Sequence, residues 1–280
     1  MASTWTLVSA RRTTPRSVTP GPDQEGMIME LTMTRIQSRQ RILIGAALVA
    51  LTLLAWAYLL MPGGETTMGE SMANSLTMLA LSVIMWSVMM VAMMLPGAGP
   101  MILTYARIHQ QREANGSSTV PIWVFLAGYL TVWVGFGISA AVLQWGLHQS
   151  ALLSSAMGKV GPLLAAGLLI TAGAFQFSHL KQACLSKCRS PLSFLMTEWR
   201  EGTGGALVMG IRHGVFCTGC CWALMLLMFV GGVMSLGWMV ALALYFLAEK
   251  LLPGGEWISR LTGVALMGAG VAMPLVAAMT

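Results

Sequence analysis

Seven long stretches of apolar, almost uncharged residues run through this chain, and they restrict its possible folds more than any other feature. They span approximately residues 42–61, 75–95, 121–145, 160–178, 214–234, 237–252 and 257–278. A helix needs about 20 mostly apolar residues to cross the roughly 30 Å hydrocarbon layer of a bilayer. The stretches are continuously apolar, whereas the strands of a membrane barrel alternate polar and apolar residues, so helices are the expected spanning form. Only 9% of the 280 residues are charged, against about a quarter in an ordinary soluble domain. So little charge cannot cover a water-soluble shell. The expected fold class is all-α, a polytopic transmembrane helix bundle of about seven helices. The count becomes six if the short 237–252 stretch, which contains Glu249 and Lys250 near its end, does not cross.

Residues 1–40 read as a disordered, basic cytoplasmic tail, rich in Ser, Thr, Pro and Arg and without an apolar period. Residues 41–280 read as the bundle, with a cytoplasmic Cys/His loop at 179–221. The first apolar stretch is longer than a signal-peptide core and is followed by LLMPGGE rather than a small-residue cleavage pattern, so a retained helix is expected.

Basic residues stay on the cytoplasmic side of membrane proteins. With seven crossings and the N-terminus inside, 15 of the 16 Lys and Arg residues fall inside: Arg11, Arg12, Arg16, Arg35, Arg39, Arg41, Arg107, Arg112, Lys181, Lys187, Arg189, Arg200, Arg212, Lys250 and Arg260. Lys159 alone falls outside, and the first outer loop carries Glu65 and Glu70. The expected location is the bacterial cytoplasmic (inner) membrane, with the lipid bilayer as partner. The net charge of +6 then reflects topology, and a nucleic-acid partner is excluded because no soluble domain is left to bind one.

All five cysteines lie between positions 184 and 221. In a reducing compartment that clustering favours a metal site or a catalytic thiol over a structural disulfide. In RHGVFCTGCCWAL, at 100° per residue, Cys217, Cys220 and Cys221 lie within about 100° of His213 and of one another. Upstream, SHLKQACLSKC supplies His179, Cys184 and Cys188, and the two cysteines share a face if that segment is helical. This tetrahedral Cys/His inventory suits Cu(I) or Zn(II), which softness alone does not separate. The alternative is plain packing of cysteine as a small hydrophobe.

Methionine accounts for 24 residues and concentrates in MLALSVIMWSVMMVAMMLPGAGP. Met85, Met89 and Met93 recur every four residues on one face, Met90 and Met94 form a neighbouring row, and Met78 lies two turns earlier. In the outer loop Met61, Met68 and Met72 continue the series. Thioether sulfur selects Cu(I) over Zn(II), while the competing explanation is that methionine fills a core. Pro96 and Pro100 are expected to end or kink this helix and to free backbone carbonyls. Glu249 and Lys250 read as an interfacial charge anchor, and residues 190–212 as a segment along the inner surface with Trp199 at headgroup level.

Around MWSVMMVAMMLPGAGPM, HLKQACLSKCRSPLSF, MGIRHGVFCTGCCWALMLLMFVGGVM and EKLLPGG, over roughly residues 75–275, the chain resembles a bacterial family described as predicted metal-binding integral membrane proteins, some of them regarded as copper chaperones. The resemblance implies Cys184, Cys188, His213, Cys217, Cys220 and Cys221 as metal ligands and brings no reaction with it. No phosphate-binding loop, dinucleotide fingerprint or nucleophile elbow is present, so catalysis on a soluble metabolite is not expected.

The expectation is therefore a membrane protein handling a metal ion, Cu(I) favoured and Zn(II) possible, for uptake or for delivery to a copper enzyme or another membrane subunit. Its candidate ligands are Cys184, Cys188, His213, Cys217, Cys220, Cys221, His179, Met85, Met89 and Met93. Two rivals stay open. One is a membrane thiol oxidoreductase cycling Cys217 and Cys220 with Cys184 or Cys188 as resolving thiol. The other is a metal-stabilised subunit of a larger membrane complex.

Overall fold

A computed structural model describes the backbone of residues 22–60, 75–116, 120–153, 158–233 and 235–279, and the side chains of residues 38–60, 76–116, 120–153, 158–233 and 235–274. Met61, Met68, Met72, Glu65 and Glu70 lie outside the described residues. The chain separates into two units, Met1–Gln40 and Arg41–Thr280. What is described of the first is the beginning of helix α1 (Pro22–Leu60), which starts inside the stretch expected to be a tail.

In the second unit α1 is followed by α2 (Ser75–Ala114), α3 (Ile122–Gln149), α4 (Pro162–Phe175), α5 (His179–Arg189), α6 (Pro191–Glu198), α7 (Gly202–Met225), the single turn α8 (Met228–Gly231), α9 (Leu236–Leu251) and α10 (Gly255–Met279). No described residue belongs to a strand, as the continuous apolar runs require.

Among the described residues four helices are long and apolar enough to cross a membrane: Ser38–Leu60, Leu76–Ala114, Ile122–Gln149 and Gly202–Gly231. A fifth crossing results if Pro162–Phe175 and His179–Arg189, bent by 65°, form one span. Length and composition thus support four or five of the seven expected crossings. The 16 residues of α9 are fewer than the roughly 20 a straight crossing needs, and α10 carries Glu256 and Arg260 near its start. The outward-facing surface is apolar, with Leu54, Leu163 and Leu261 all more than 60% exposed.

Three boundaries differ from the sequence expectation. Helix α2 runs through Pro96 and Pro100 to Ala114 instead of ending there. A proline removes the N–H that would bond the carbonyl four residues back, and the Trp56 indole of α1 donates to that carbonyl, Ala92 O, at 3.2 Å. The freed acceptor is satisfied by a neighbour, so the helix continues. Helix α7 begins at Gly202, not near 214, which places the cysteine triplet in its second half rather than its first turns. Residues 202–212, expected to lie along the surface, are instead the first turns of α7, while α6 buries Phe194 and Leu195 and exposes Leu192 and Met196.

The helices that carry the site pack closely because glycines face them. A Cβ on Gly128 of α3 would lie 2.4 Å from Leu207 O, and one on Gly210 of α7 would lie 2.1 Å from Phe125 O. The two backbones therefore touch directly over this stretch, just before the cysteine triplet. Small-residue contact of this kind lets helices approach without large side chains between them.

Candidate functional site

Helix α5 is preceded by Ser178, whose hydroxyl accepts a bond from Lys181 N and caps the helix N-terminus. The helical period then puts Lys181, Cys184, Leu185 and Cys188 on one buried face. That face packs on α7, where Gly219 leaves the room needed: a Cβ there would sit 2.8 Å from Cys184 Sγ.

All five cysteines are free and buried. Cys188 of α5 lies beside Cys217 and Cys220 of α7, and Cys220 lies beside Cys221. The Cys220 and Cys221 thiols also donate to the Cys217 carbonyl, each at 3.0 Å. Two helices separated in sequence therefore bring four sulfurs together, with Cys184 against Gly219 beside them.

Three further groups close on Cys217. Tyr129 OH from α3 lies 3.3 Å from Cys217 Sγ and donates to Met94 O of α2 at 3.1 Å. Lys250 from α9 brings its Nζ to 3.0 Å from Cys217 Sγ and 3.8 Å from Met94 Sδ. His213, one turn before Cys217, is buried with its ring 5.4 Å from that of Tyr129 and 6.2 Å from that of Phe125, and Phe194 meets it edge-on at 5.6 Å. Its Nδ1 has no hydrogen-bond partner among the described residues.

Glu249 and Lys250 are not an interfacial anchor. Glu249 is fully buried, Lys250 is 6% exposed, and Lys181 Nζ lies 2.6 Å from Glu249 Oε1 with both side chains out of reach of solvent. Tyr245 OH donates to the same carboxylate oxygen at 3.0 Å. The end of α9 is packed against α2, α5 and α10, so a pair that looks terminal in the sequence sits inside the bundle.

His179 is exposed at the first residue of α5, unlike the buried thiols of the same helix. Met89 and Met93 are buried and Met85 is half-buried. It is Met94, of the neighbouring row, that reaches the lysine beside Cys217. Sequence reasoning did not single out Tyr129, Lys181 or Lys250 as site residues. For Lys181 a signal existed, since it precedes Cys184 by three residues and Cys188 by seven, the spacing of one helical face.

Among the described residues no group of three His, Cys, Asp or Glu side chains is arranged to hold a metal ion as it stands. The Cys220 and Cys221 thiols are turned to the Cys217 carbonyl, and the Cys217 sulfur to Tyr129 and Lys250. Thiolate and thioether donors are the ligand types that suit Cu(I). The family model described as a copper chaperone, PpoB2, matches residues 83–273.

This chain belongs to the PpoB2 copper chaperone family.

The matched region of this PpoB2-family chain contains α3 to α9 entire, most of α2 and α10, and every residue of the thiol group. No curated protein and no solved structure matches it.

Proposed function

We propose that this PpoB2-family chain is an integral membrane protein that binds Cu(I) at the thiol group of α5 and α7 and passes it to a copper enzyme or a neighbouring membrane subunit. The observation that carries the proposal is the meeting of five free, buried thiols from two helices, next to Met94, inside the region matched by a copper chaperone family. The proposed ligands are Cys184, Cys188, Cys217, Cys220 and Cys221, with His213 at the edge of the group. Copper is cargo here, so the Cys220 and Cys221 thiols must give up their bonds to the Cys217 carbonyl to take it and regain them on release. Protein purified anaerobically in detergent should contain copper by elemental analysis. Zinc in its place, or fully metal-free thiols after copper supply, would refute the Cu(I) assignment.

The oxidoreductase alternative is disfavoured by access. Exchange requires a thiolate to reach an external disulfide, and the five thiols are at most 9% exposed. Cys217 also lies in the second half of α7, away from the helix N-terminus that activates a redox cysteine.

For topology the proposal is seven crossings with the N-terminus in the cytoplasm, α4 and α5 forming one bent crossing and α9 and α10 the last two. Reporter fusions after residues 65 and 150 are expected to read outside, and fusions after 110, 190 and 256 inside. A cytoplasmic signal at 65 would reverse the orientation.

The methionine rows of α2 are proposed as the route to the thiols. Leucine at Met85, Met89 and Met93 keeps volume and apolarity, so each substitution should cost less than about 1.5 kcal/mol of stability. Cells making this triple variant should deliver less copper, while the purified protein still binds metal at the cysteines. Normal copper delivery at normal protein levels would reduce the rows to core packing.

A further inference from the structure

Lys250 is the buried charge that copper binding by thiols does not by itself require. Its neighbour Glu249 faces Lys181 and Tyr245, and Lys250 forms no ion pair with a carboxylate among the described residues. Instead its Nζ lies among sulfurs, 3.0 Å from Cys217 and 3.8 Å from Met94. The side chain reaches them along Gly97 of α2, where a Cβ would come to 3.1 Å from Lys250 Cδ and 3.4 Å from Nζ. A glycine at that position leaves the ammonium its path through the bundle. An ammonium buried without a carboxylate is costly, which argues that its position serves the thiols it faces.

We propose that Lys250 is a charge filter, which makes the thiol group select a monovalent over a divalent soft cation. The proposal rests on the reading of the thiols as a Cu(I) site. Softness separates Cu(I) from Zn(II) poorly at thiolates, as both bind them well. Charge separates them sharply. A fixed positive charge beside the ligands repels an incoming ion in proportion to that ion's charge, so it opposes Zn(II) by twice the free energy with which it opposes Cu(I). Whatever the ammonium does to the metal-free thiols is common to both metals and cancels when their affinities are compared as a ratio. Low local dielectric strengthens the discrimination, because repulsion that water would screen persists in a buried site. Lys250 is thus a specificity-determining residue for the cargo and not itself a ligand.

The test is competition titration of the purified full chain, kept anaerobic at one pH, with Cu(I) and with Zn(II) against chelators of known affinity. Wild type, Lys250→Met, Lys250→Gln and Lys250→Arg are compared by the ratio of zinc to copper affinity. Lys250→Met and Lys250→Gln are expected to move the ratio towards zinc by roughly tenfold or more, the effect of one nearby buried charge. Lys250→Arg, which keeps the charge, should stay within about twofold of wild type on the same electrostatic ground. Should the methionine variant fail to fold, the glutamine variant, polar and of similar reach, decides. An unchanged ratio in a neutral variant that still binds copper overturns the filter and leaves the copper site standing. A shift in Lys250→Arg as large as in Lys250→Gln overturns it too, since shape and not charge would then be responsible. If wild type binds no Cu(I) at all, the filter and the copper reading fail together.

Discussion

Replacing Cys217, Cys220 and Cys221 together with serine is expected to strip the protein of metal while leaving the bundle folded. Each of these side chains is buried on one face of α7, and a serine hydroxyl there can bond back to the carbonyl one turn earlier, as the Cys221 thiol already does to Cys217 O. The backbone contacts that hold α7 against α3 are made earlier in the helix, at Gly210 and Gly214, and are untouched by the change. Loss of an outer partner of a metal ligand already costs about 10–100-fold in affinity. Removal of three proposed ligands should therefore lower metal affinity by more than about a hundredfold. The check is elemental analysis of wild type and variant purified side by side, with helix content from circular dichroism as the folding control. Equal metal content in the two proteins would leave the cysteines as packing residues.

The second large effect is expected at the buried pair of Lys181 and Glu249. Both side chains are inaccessible to solvent, with Nζ 2.6 Å from Oε1, and they join α5 to α9. Breaking such a pair from one side strands a charge in a low-dielectric interior and costs about 3–5 kcal/mol, whereas replacing both partners by apolar groups is often close to neutral. Lys181→Met alone, or Glu249→Leu alone, should lower the midpoint of thermal unfolding in detergent severely. The double variant should recover most of that loss. Because Cys184 and Cys188 share the α5 face with Lys181, the single variants should also weaken copper binding, by loosening the helix that presents two of the thiols. Single and double variants equally destabilised would show that the pair acts through packing and not through charge.

Much of this arrangement is legible in the chain. The unbroken apolar runs dictate helices, since an alternating pattern is absent and backbone polar groups in an apolar setting must be satisfied within the segment. The i, i+3, i+4 spacing of Cys217, Cys220 and Cys221 puts three thiols on one face of any helix containing them, and Cys184 and Cys188 obey the same rule. Helix ends were less legible. The start of α7 at Gly202 was missed because Glu198, Arg200, Glu201 and Arg212 lower the apolarity of the stretch. In the structure Arg212 pairs with Glu198 and Arg112 with Glu201, so those charges neutralise one another beside the helix instead of ending it. The continuity of α2 through Pro96 was equally out of reach, because the donor for the freed carbonyl is Trp56, far away in the chain.

The sequence by itself determined the all-helical class, the apolar character of the surface and the grouping of thiols by helical face, because each follows from local periodicity and composition. Only the tertiary structure decided which faces meet. Packing of α5 on α7 unites Cys188 with Cys217 and Cys220, the approach of α2 makes Met94 and not the Met85, Met89, Met93 row the thioether at Lys250, and the burial of the end of α9 turns an apparent surface anchor into an ion pair and a lone ammonium among sulfurs. The physical reason is that an apolar helix has no face marked by polarity to show which side turns inward. Its rotation about its own axis is set by contacts such as those of Gly128, Gly210 and Gly219, which exist only once the partner helix is in place.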